Sequence, residues 1–168
     1  MNLVLDASDF AELGSYWNRA PDITREELLV AMTDADVLLQ GELMQSLPLG
    51  AGGAAGLRGS VAHEEQALAD RVLGTTYSPK EYAVYVELGT RPHLPPIQPL
   101  IDWVEARLGL HDDEAKGVAF AISRAIGVRG TKANPVWRTV WERSQAEIRR
   151  KFDAAMQRIA GRLAGGVA

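Results

Sequence analysis

The sequence predicts an α+β protein in which a small antiparallel sheet of about three to four strands packs against long N-terminal and C-terminal helices, with an inserted helical segment. Two periodicities predict this fold. Apolar residues recur every three or four positions over 22–46 and 135–163, as in amphipathic helices, and alternate with polar residues within 57–90, as in strands. The chain has 168 residues, 46% of them apolar, which suffices for one core. We therefore predict a single domain over 1–168.

The N-terminal helix is predicted to begin after Pro21, where Asp22 can cap the first turn. Apolar residues then follow at helical spacing. They are Leu28, Met32, Ala35, Leu39 and Leu43. Residues 1–21 form a less regular N-terminal segment, for which we predict a short strand at 2–5 and a short helix at 10–17.

A glycine-rich stretch separates this helix from the predicted strands. Residues 50–56 are all Gly or Ala. These small residues restrict the backbone dihedral angles little and cannot form a hydrophobic core, so we predict a flexible loop. A phosphate-binding loop is disfavoured because such loops follow a strand and open a helix. Strands are predicted at 57–63, 69–75 and 82–88, where residues alternate in polarity or β-formers cluster.

Three helices are predicted beyond the strands. The proline-rich stretch 91–96 cannot be regular, because proline lacks a backbone donor, so it should be an ordered connector or arm. The inserted segment 97–127 has two helical stretches, which are predicted to stop at Gly109 and Gly127. The last helix should start at Pro135 behind Asn134 as its cap. Its apolar stripe comprises Trp137, Trp141, Ser144, Ile148, Phe152, Ala155, Ile159 and Leu163.

Charge is unevenly distributed along the chain. Residues 1–128 hold nine Lys and Arg against nineteen Asp and Glu, a balance of −10, whereas residues 129–168 hold nine against three, a balance of +6. This polarity suits contact with a neighbouring subunit or with nucleic acid, and it is equally consistent with a solvated basic helix. No apolar run is long enough to cross a bilayer, so we expect no membrane partner and synthesis in the cytosol.

No familiar catalytic or metal-binding pattern stands out. The chain has no Cys, and His63, His93 and His111 lack partners at ligand spacing, so we predict neither a metal site nor a cofactor. The loop and nucleophile motifs of common enzymes are missing, which favours a protein that is not an enzyme. The pairs Glu64-Glu65 and Asp112-Asp113 are interpreted as solvated charges.

Glu87 is the acidic residue of most interest, because it lies within an apolar run. A buried carboxylate there would need a cationic or hydrogen-bonding partner, which Arg91 or Arg58 could supply. We therefore hypothesise a structural ion pair at Glu87. A hydrolase site assembled from Glu87, His93 and Asp residues is a weaker hypothesis, because no nucleophile with an adjacent base can be named.

Three runs of the sequence resemble the tail-completion or head-tail joining family of long-tailed bacteriophages. They are Gly56–Val61, Tyr82–Thr90 and Pro92–Leu100. The run YAVYVELGT at Tyr82–Thr90 is similar to the central signature of the family, except that Leu88 stands where phenylalanine is usual. A second departure is the helical insert, because the family often continues directly from the proline-rich loop into the last helix.

The resemblance implies a small structural subunit without catalytic residues. Such a subunit would form a ring, expected to be a homohexamer, in the neck or at the head-proximal end of the tail, and its partners would be the head connector or head-closure protein, the tail tube and DNA in the channel. It would reside in the virion, and in the host cytoplasm during assembly. The expected interface residues are Glu87, Arg91, Pro92, His93, Pro95, Pro96, Arg149, Arg150 and Lys151. The alternative is a DNA-binding regulator that uses the basic C-terminal helix.

Overall fold

The computed structural model describes residues 8–48, 50, 56–68 and 71–165, and this part of the chain is mainly helical. The two strands of its antiparallel sheet form a hairpin. In chain order the elements are α1 (Ser8–Ser46), a 3₁₀ turn (Arg58–Ser60), β1 (Ala62–Ala67), β2 (Val72–Tyr77), α2 (Ala83–Leu88), α3 (Ile97–Leu108), α4 (Asp112–Arg129) and α5 (Val136–Ala164).

The first helix is longer than the sequence predicts. It begins at Ser8, passes through Pro21 and ends at Ser46, so the short helix predicted at 10–17 is its first part. Pro21 removes one intrahelical donor, but its fixed φ is compatible with a helix whose turns on both sides continue. Asp22 therefore lies inside the helix, where it pairs with Arg25 at 3.4 Å instead of capping. The strand predicted at 2–5 lies outside the described residues.

The prediction of a third strand at 82–88 is wrong, because Ala83–Leu88 is a helix. Its aromatic and β-branched residues favour strands only weakly, and tertiary contacts override that preference. In the helix, Ala83 and Val86 pack against the hydrophobic core. The other two strands are shifted towards the C-terminus, since residues 58–60 form the 3₁₀ turn. The loop predicted at 50–56 lies largely outside the described residues.

The contacts group the chain into two compact units. Unit 1 comprises Met1–Leu38, His63–Thr75 and Ser144–Ala168, and unit 2 comprises Leu39–Ala62 and Thr76–Arg143. Helices α1 and α5 each contribute residues to both units. The single domain over 1–168 stays a prediction.

Unit 2 contains two hydrophobic clusters. The first joins the end of α1, the 3₁₀ turn and the start of α5 through Leu43, Leu47, Leu57, Val61, Val136 and Val140. The second joins α3 and α4 through Val104, Ala115 and Ala119. Helix α3 ends at Gly109 in the left-handed conformation, as predicted. The stop predicted at Gly127 is wrong, because α4 continues to Arg129 and Gly130 follows with a φ of 71°.

Helix α5 buries a stripe one position away from the predicted one at its N-terminal end. Val136 and Val140 are buried there, whereas Trp141 is exposed and Trp137 is partly buried against the core. Four-residue spacing is shared by both stripes, so periodicity alone does not decide which one faces the core. The predicted stripe is confirmed further along at Ser144, Ala155 and Ile159, which are buried.

Ion pairs join α1 and α5 within unit 1. Arg158 pairs with Glu27 at 2.6 Å, and Arg162 pairs with Glu26 at 2.7 Å and with Glu27 at 2.9 Å. Hydrogen bonds from Arg158 and then Arg162 to the Glu27 carboxylate lower its pKa from the usual 4.5. The pKa of Arg162 is raised, chiefly by its hydrogen bond with Glu26.

This arrangement predicts a pH-dependent effect of Glu27→Gln. A carboxylate with a lowered folded-state pKa stabilises the fold above its unfolded pKa, and the contribution is lost as the pH falls through the folded value. We expect the variant to melt below the parent protein at pH 7, with the difference shrinking once the pH drops below 4.5. Melting curves from pH 7 to pH 2.5 measure this difference, with the exposed Glu64→Gln as control. A difference independent of pH would contradict the assignment.

Candidate interaction surface

The carboxylate of Glu87 caps the N-terminus of α5. Its Oε2 accepts a hydrogen bond from the backbone N–H of Trp137 at 2.9 Å, and its Oε1 accepts one from Arg138 at 3.0 Å. These N–H groups belong to the first turn of the helix, where no intrahelical carbonyl is available to them. A negative charge at this end also interacts favourably with the helix dipole.

The cap comes from a distant residue and not from Asn134, the residue that the sequence predicts. The predicted cap, Asn134, instead donates its backbone N–H to the carbonyl of Val86 at 2.9 Å, and Pro135 precedes the helix with no polar side chain. The hypothesis of an ion pair between Glu87 and Arg58 or Arg91 is wrong. Arg58 instead donates to the carbonyl of Leu47, just beyond the end of α1, at 2.6 and 3.0 Å.

A short bridge holds the segment after α2 against the segment before α5. Thr90 and Thr131 exchange two backbone hydrogen bonds of 3.1 and 3.2 Å, and their hydroxyl groups lie 3.0 Å apart. Gly89 and Gly130 precede the two threonines, and each has a φ of 71°. A Cβ at Gly130 would overlap the carbonyl oxygen of Thr90, so both the conformation and the close approach require glycine there.

The connector between this bridge and α3 contains most of the predicted interface residues. Arg91, Pro92, His93 and Pro96 are exposed, and Pro95 is half-buried. His93 anchors the connector, because its Nδ1–H donates to the carbonyl of Arg91 at 2.9 Å and its backbone N–H donates to Ile126 at 3.4 Å. Residues Glu87 to Pro96 all lie in unit 2, and the hydrogen bonds of Glu87, Thr90 and His93 hold this segment in place.

Large apolar side chains are exposed in α2 and in the connector. Tyr82, Val84, Tyr85 and Leu88 of the α2 region are exposed, and Leu88 keeps 66% of its surface accessible. Leu94 in the connector is 78% exposed. Helical spacing directs Ala83 and Val86 to the core and the remaining apolar side chains outwards. We call Tyr82, Val84, Tyr85, Leu88 and Leu94 the apolar face.

An open groove of about 1170 Å³ lies beside the connector, along the C-terminal half of α4. We call it the α4 groove. Phe120, Arg124 and Val128 contribute to it from one face of the helix, one residue away from the buried stripe of Ala115, Ala119 and Ser123. The groove also contacts Leu94 and Ile97, and its second cation is Arg129. None of its lining residues is acidic.

The basic residues predicted as an interface lie in unit 1. Arg149 and Arg150 are exposed and Lys151 is half-buried, all on α5. Arg150 forms an ion pair with Glu147 of the same helix. Other α5 arginines are also paired: Arg143 with Glu42, and Arg158 and Arg162 with the glutamates of α1.

Within residues 8–48, 50, 56–68 and 71–165, no group of three or more His, Cys, Asp or Glu is arranged to hold a metal ion. In the same residues, no helix combines the length and hydrophobicity that crossing a membrane requires.

The α4 groove was not predicted from the sequence. The sequence did contain an indication of it, because Phe120 and Val128 lie one position outside the apolar stripe of α4 that packs in the core. A large apolar side chain outside the buried stripe of a helix indicates a surface that contacts something else.

Comparisons with protein-family models, curated proteins and solved structures each found no match.

Replacing Gly130 with Ala should destabilise the protein. The positive φ and the overlap with Thr90 together predict a loss of about 2 kcal/mol or more in the free energy of unfolding. The matched control is Gly161→Ala in α5, where a Cβ meets nothing within 4 Å and the helix should gain up to about 1 kcal/mol. Urea titrations of both variants test this, and equal stabilities would contradict it.

Removing the Glu87 carboxylate should weaken the start of α5. We expect Glu87→Ala to lose about 1–2 kcal/mol of unfolding free energy, because two N–H groups of the first turn lose their acceptor. Glu87→Gln keeps an acceptor oxygen and should lose less. Amide hydrogen exchange at Trp137 and Arg138 locates the effect, with the exposed Glu81→Ala as control. Unchanged exchange at both amides in Glu87→Ala would refute the role of the cap.

Proposed function

We propose that this chain is a non-enzymatic structural subunit of a tailed-phage virion. It forms a ring, with six copies expected, in the neck or at the head-proximal end of the tail. There it completes the tail or joins the tail to the head, in contact with the head connector or head-closure protein and with the tail tube. The channel of the ring leaves a path for DNA.

The observation that carries this proposal is the apolar face. The segment Tyr82–Pro96 carries the resemblance to tail-completion and head-tail joining proteins, and the same segment displays large apolar side chains to solvent. Contiguous exposed apolar residues, aromatic ones in particular, are typical of protein–protein interfaces. An assembly subunit needs such a surface on a rigid frame, and the Glu87 cap with the Thr90–Thr131 bridge supplies the frame.

The role of Glu87 supports a structural function rather than hydrolysis. Both carboxylate oxygens accept hydrogen bonds from the first turn of α5. A general base needs a carboxylate within reach of the proton that it removes from a substrate or water. The contacts of Glu87 instead stabilise a helix terminus, and His93 is bound to the backbone of its own connector.

The DNA-binding alternative depends on the basic charge of α5. Four of its arginines, at 143, 150, 158 and 162, form ion pairs with glutamates of α1 or α5. Each pair reduces the charge that α5 can offer to phosphate groups. Arg138 and Arg149 remain exposed on this helix and could contact DNA without sequence preference.

The proposed function is tested by mixing the purified protein with tail tubes or head connectors and imaging the products by electron microscopy. We expect rings that cap the tubes or connectors. Leu88→Asp on the apolar face should weaken capping roughly tenfold, the effect of losing one good apolar anchor. Val30→Asp, which introduces the same charge at a 49% exposed apolar position of α1, is the control.

Two results would overturn this proposal. The first is a protein that binds neither tubes nor connectors. The second is salt-dependent binding to duplex DNA in the absence of any capping, which would favour the regulator.

A further inference from the structure

The chemistry of the α4 groove defines what could occupy it. Its apolar part is formed by Leu94, Phe120 and Val128, of which Phe120 is 61% and Val128 76% exposed. Its charged part consists of Arg124 and Arg129, and within the described residues neither forms an ion pair. The complementary ligand is a segment that presents an apolar side chain next to carboxylates.

The same chain exposes such a segment at the turn between α3 and α4. Leu108 is exposed, and Asp112, Asp113 and Glu114 follow it at the start of α4, all of them exposed. Arg107 precedes Leu108, and Lys116 in the next turn of α4 pairs with Asp113 at 3.1 Å. We call residues 107–114 the acidic turn. Its three carboxylates outnumber its one cation.

The acidic turn cannot reach the arginines of its own α4 groove. A helix rises about 1.5 Å per residue, so Asp113 lies about 16 Å along the axis from Arg124, and Asp112 about 25 Å from Arg129. The two surfaces lie towards opposite ends of one rigid helix. Any contact between them must therefore join two copies of the chain.

We infer that the acidic turn of one copy docks into the α4 groove of the next. Leu108 packs against Val128 in the apolar part of the groove, to which Phe120 and Leu94 also belong, and the carboxylates of the turn meet Arg124 and Arg129. Because the two surfaces differ, the contact is head-to-tail, and repeated contacts generate a closed ring or an open filament. Closure at six copies rests on the proposed function.

The helix dipole also favours acids at the start of α4 and arginines at its end. The dipole does not explain why Leu108, Phe120 and Val128 are exposed. A docking contact does explain it, because their apolar side chains would be buried between two copies. Charge complementarity with the apolar contact thus identifies a second copy of the chain as the occupant of the groove.

Cysteine cross-linking tests this contact cleanly, because the natural chain has no cysteine. Full-length protein with Leu108→Cys and Val128→Cys should form a ladder of disulfide-linked multimers under mild oxidation, since docking brings the two Cβ atoms close enough for a disulfide. Mixing the two single variants should give dimers that contain one of each. The control pair combines Leu108→Cys with Met156→Cys, which is 57% exposed on α5.

Adding Phe120→Asp to the double-cysteine protein should reduce the cross-linked fraction roughly tenfold, while circular dichroism shows an unchanged fold. A ladder no stronger than that of the Met156 control would overturn the inference. Its failure is distinguishable from failure of the proposed function. Capped tubes without the ladder would refute this contact alone, and the ladder without capping would refute the virion role alone.

Discussion

The arrangement of unit 2 depends on the carboxylate of Glu87 at the start of α5. Helix α5 has 29 residues, and the N–H groups of its first turn have no intrahelical acceptor. Glu87, fifty positions upstream, supplies the acceptor and thereby ties α2 to α5. Arg58 acts in the opposite sense near the end of α1, where its guanidinium donates to the carbonyl of Leu47. An anion at one helix start and a cation at another helix end both match the helix dipole.

The segment between α2 and α3 has a backbone held in place by hydrogen bonds and side chains that are exposed to solvent. Two glycines with positive φ allow the backbones at Thr90 and Thr131 to approach, and the resulting bridge holds the connector in place. Side chains that such a frame leaves exposed lose little further conformational freedom when a partner binds. Leu88 and Leu94 are therefore well suited to contact a neighbouring protein.

Charge in the sequence is a poor guide to charge on the surface. The last forty residues carry an excess of +6, which favours an interaction with an acidic partner. Much of that charge is matched inside the molecule, because Arg158 and Arg162 pair with Glu26 and Glu27, and Arg143 pairs with Glu42. In the α4 groove, by contrast, two arginines remain beside apolar side chains.

The sequence by itself determined that the chain has long terminal helices, two helices in the insert and an end of α3 at Gly109, because helical period and glycine stops are local signals. Only the tertiary structure decided that residues 83–88 form a helix, that Val136 and Val140 are buried whereas Trp141 is exposed, and that Glu87 caps α5. The physical reason is that these outcomes depend on which side chains meet across long stretches of chain. The tertiary structure likewise decided that Phe120 and Val128 are exposed. An apolar stripe can be assigned to the core or to the surface only once the buried face of its helix is known.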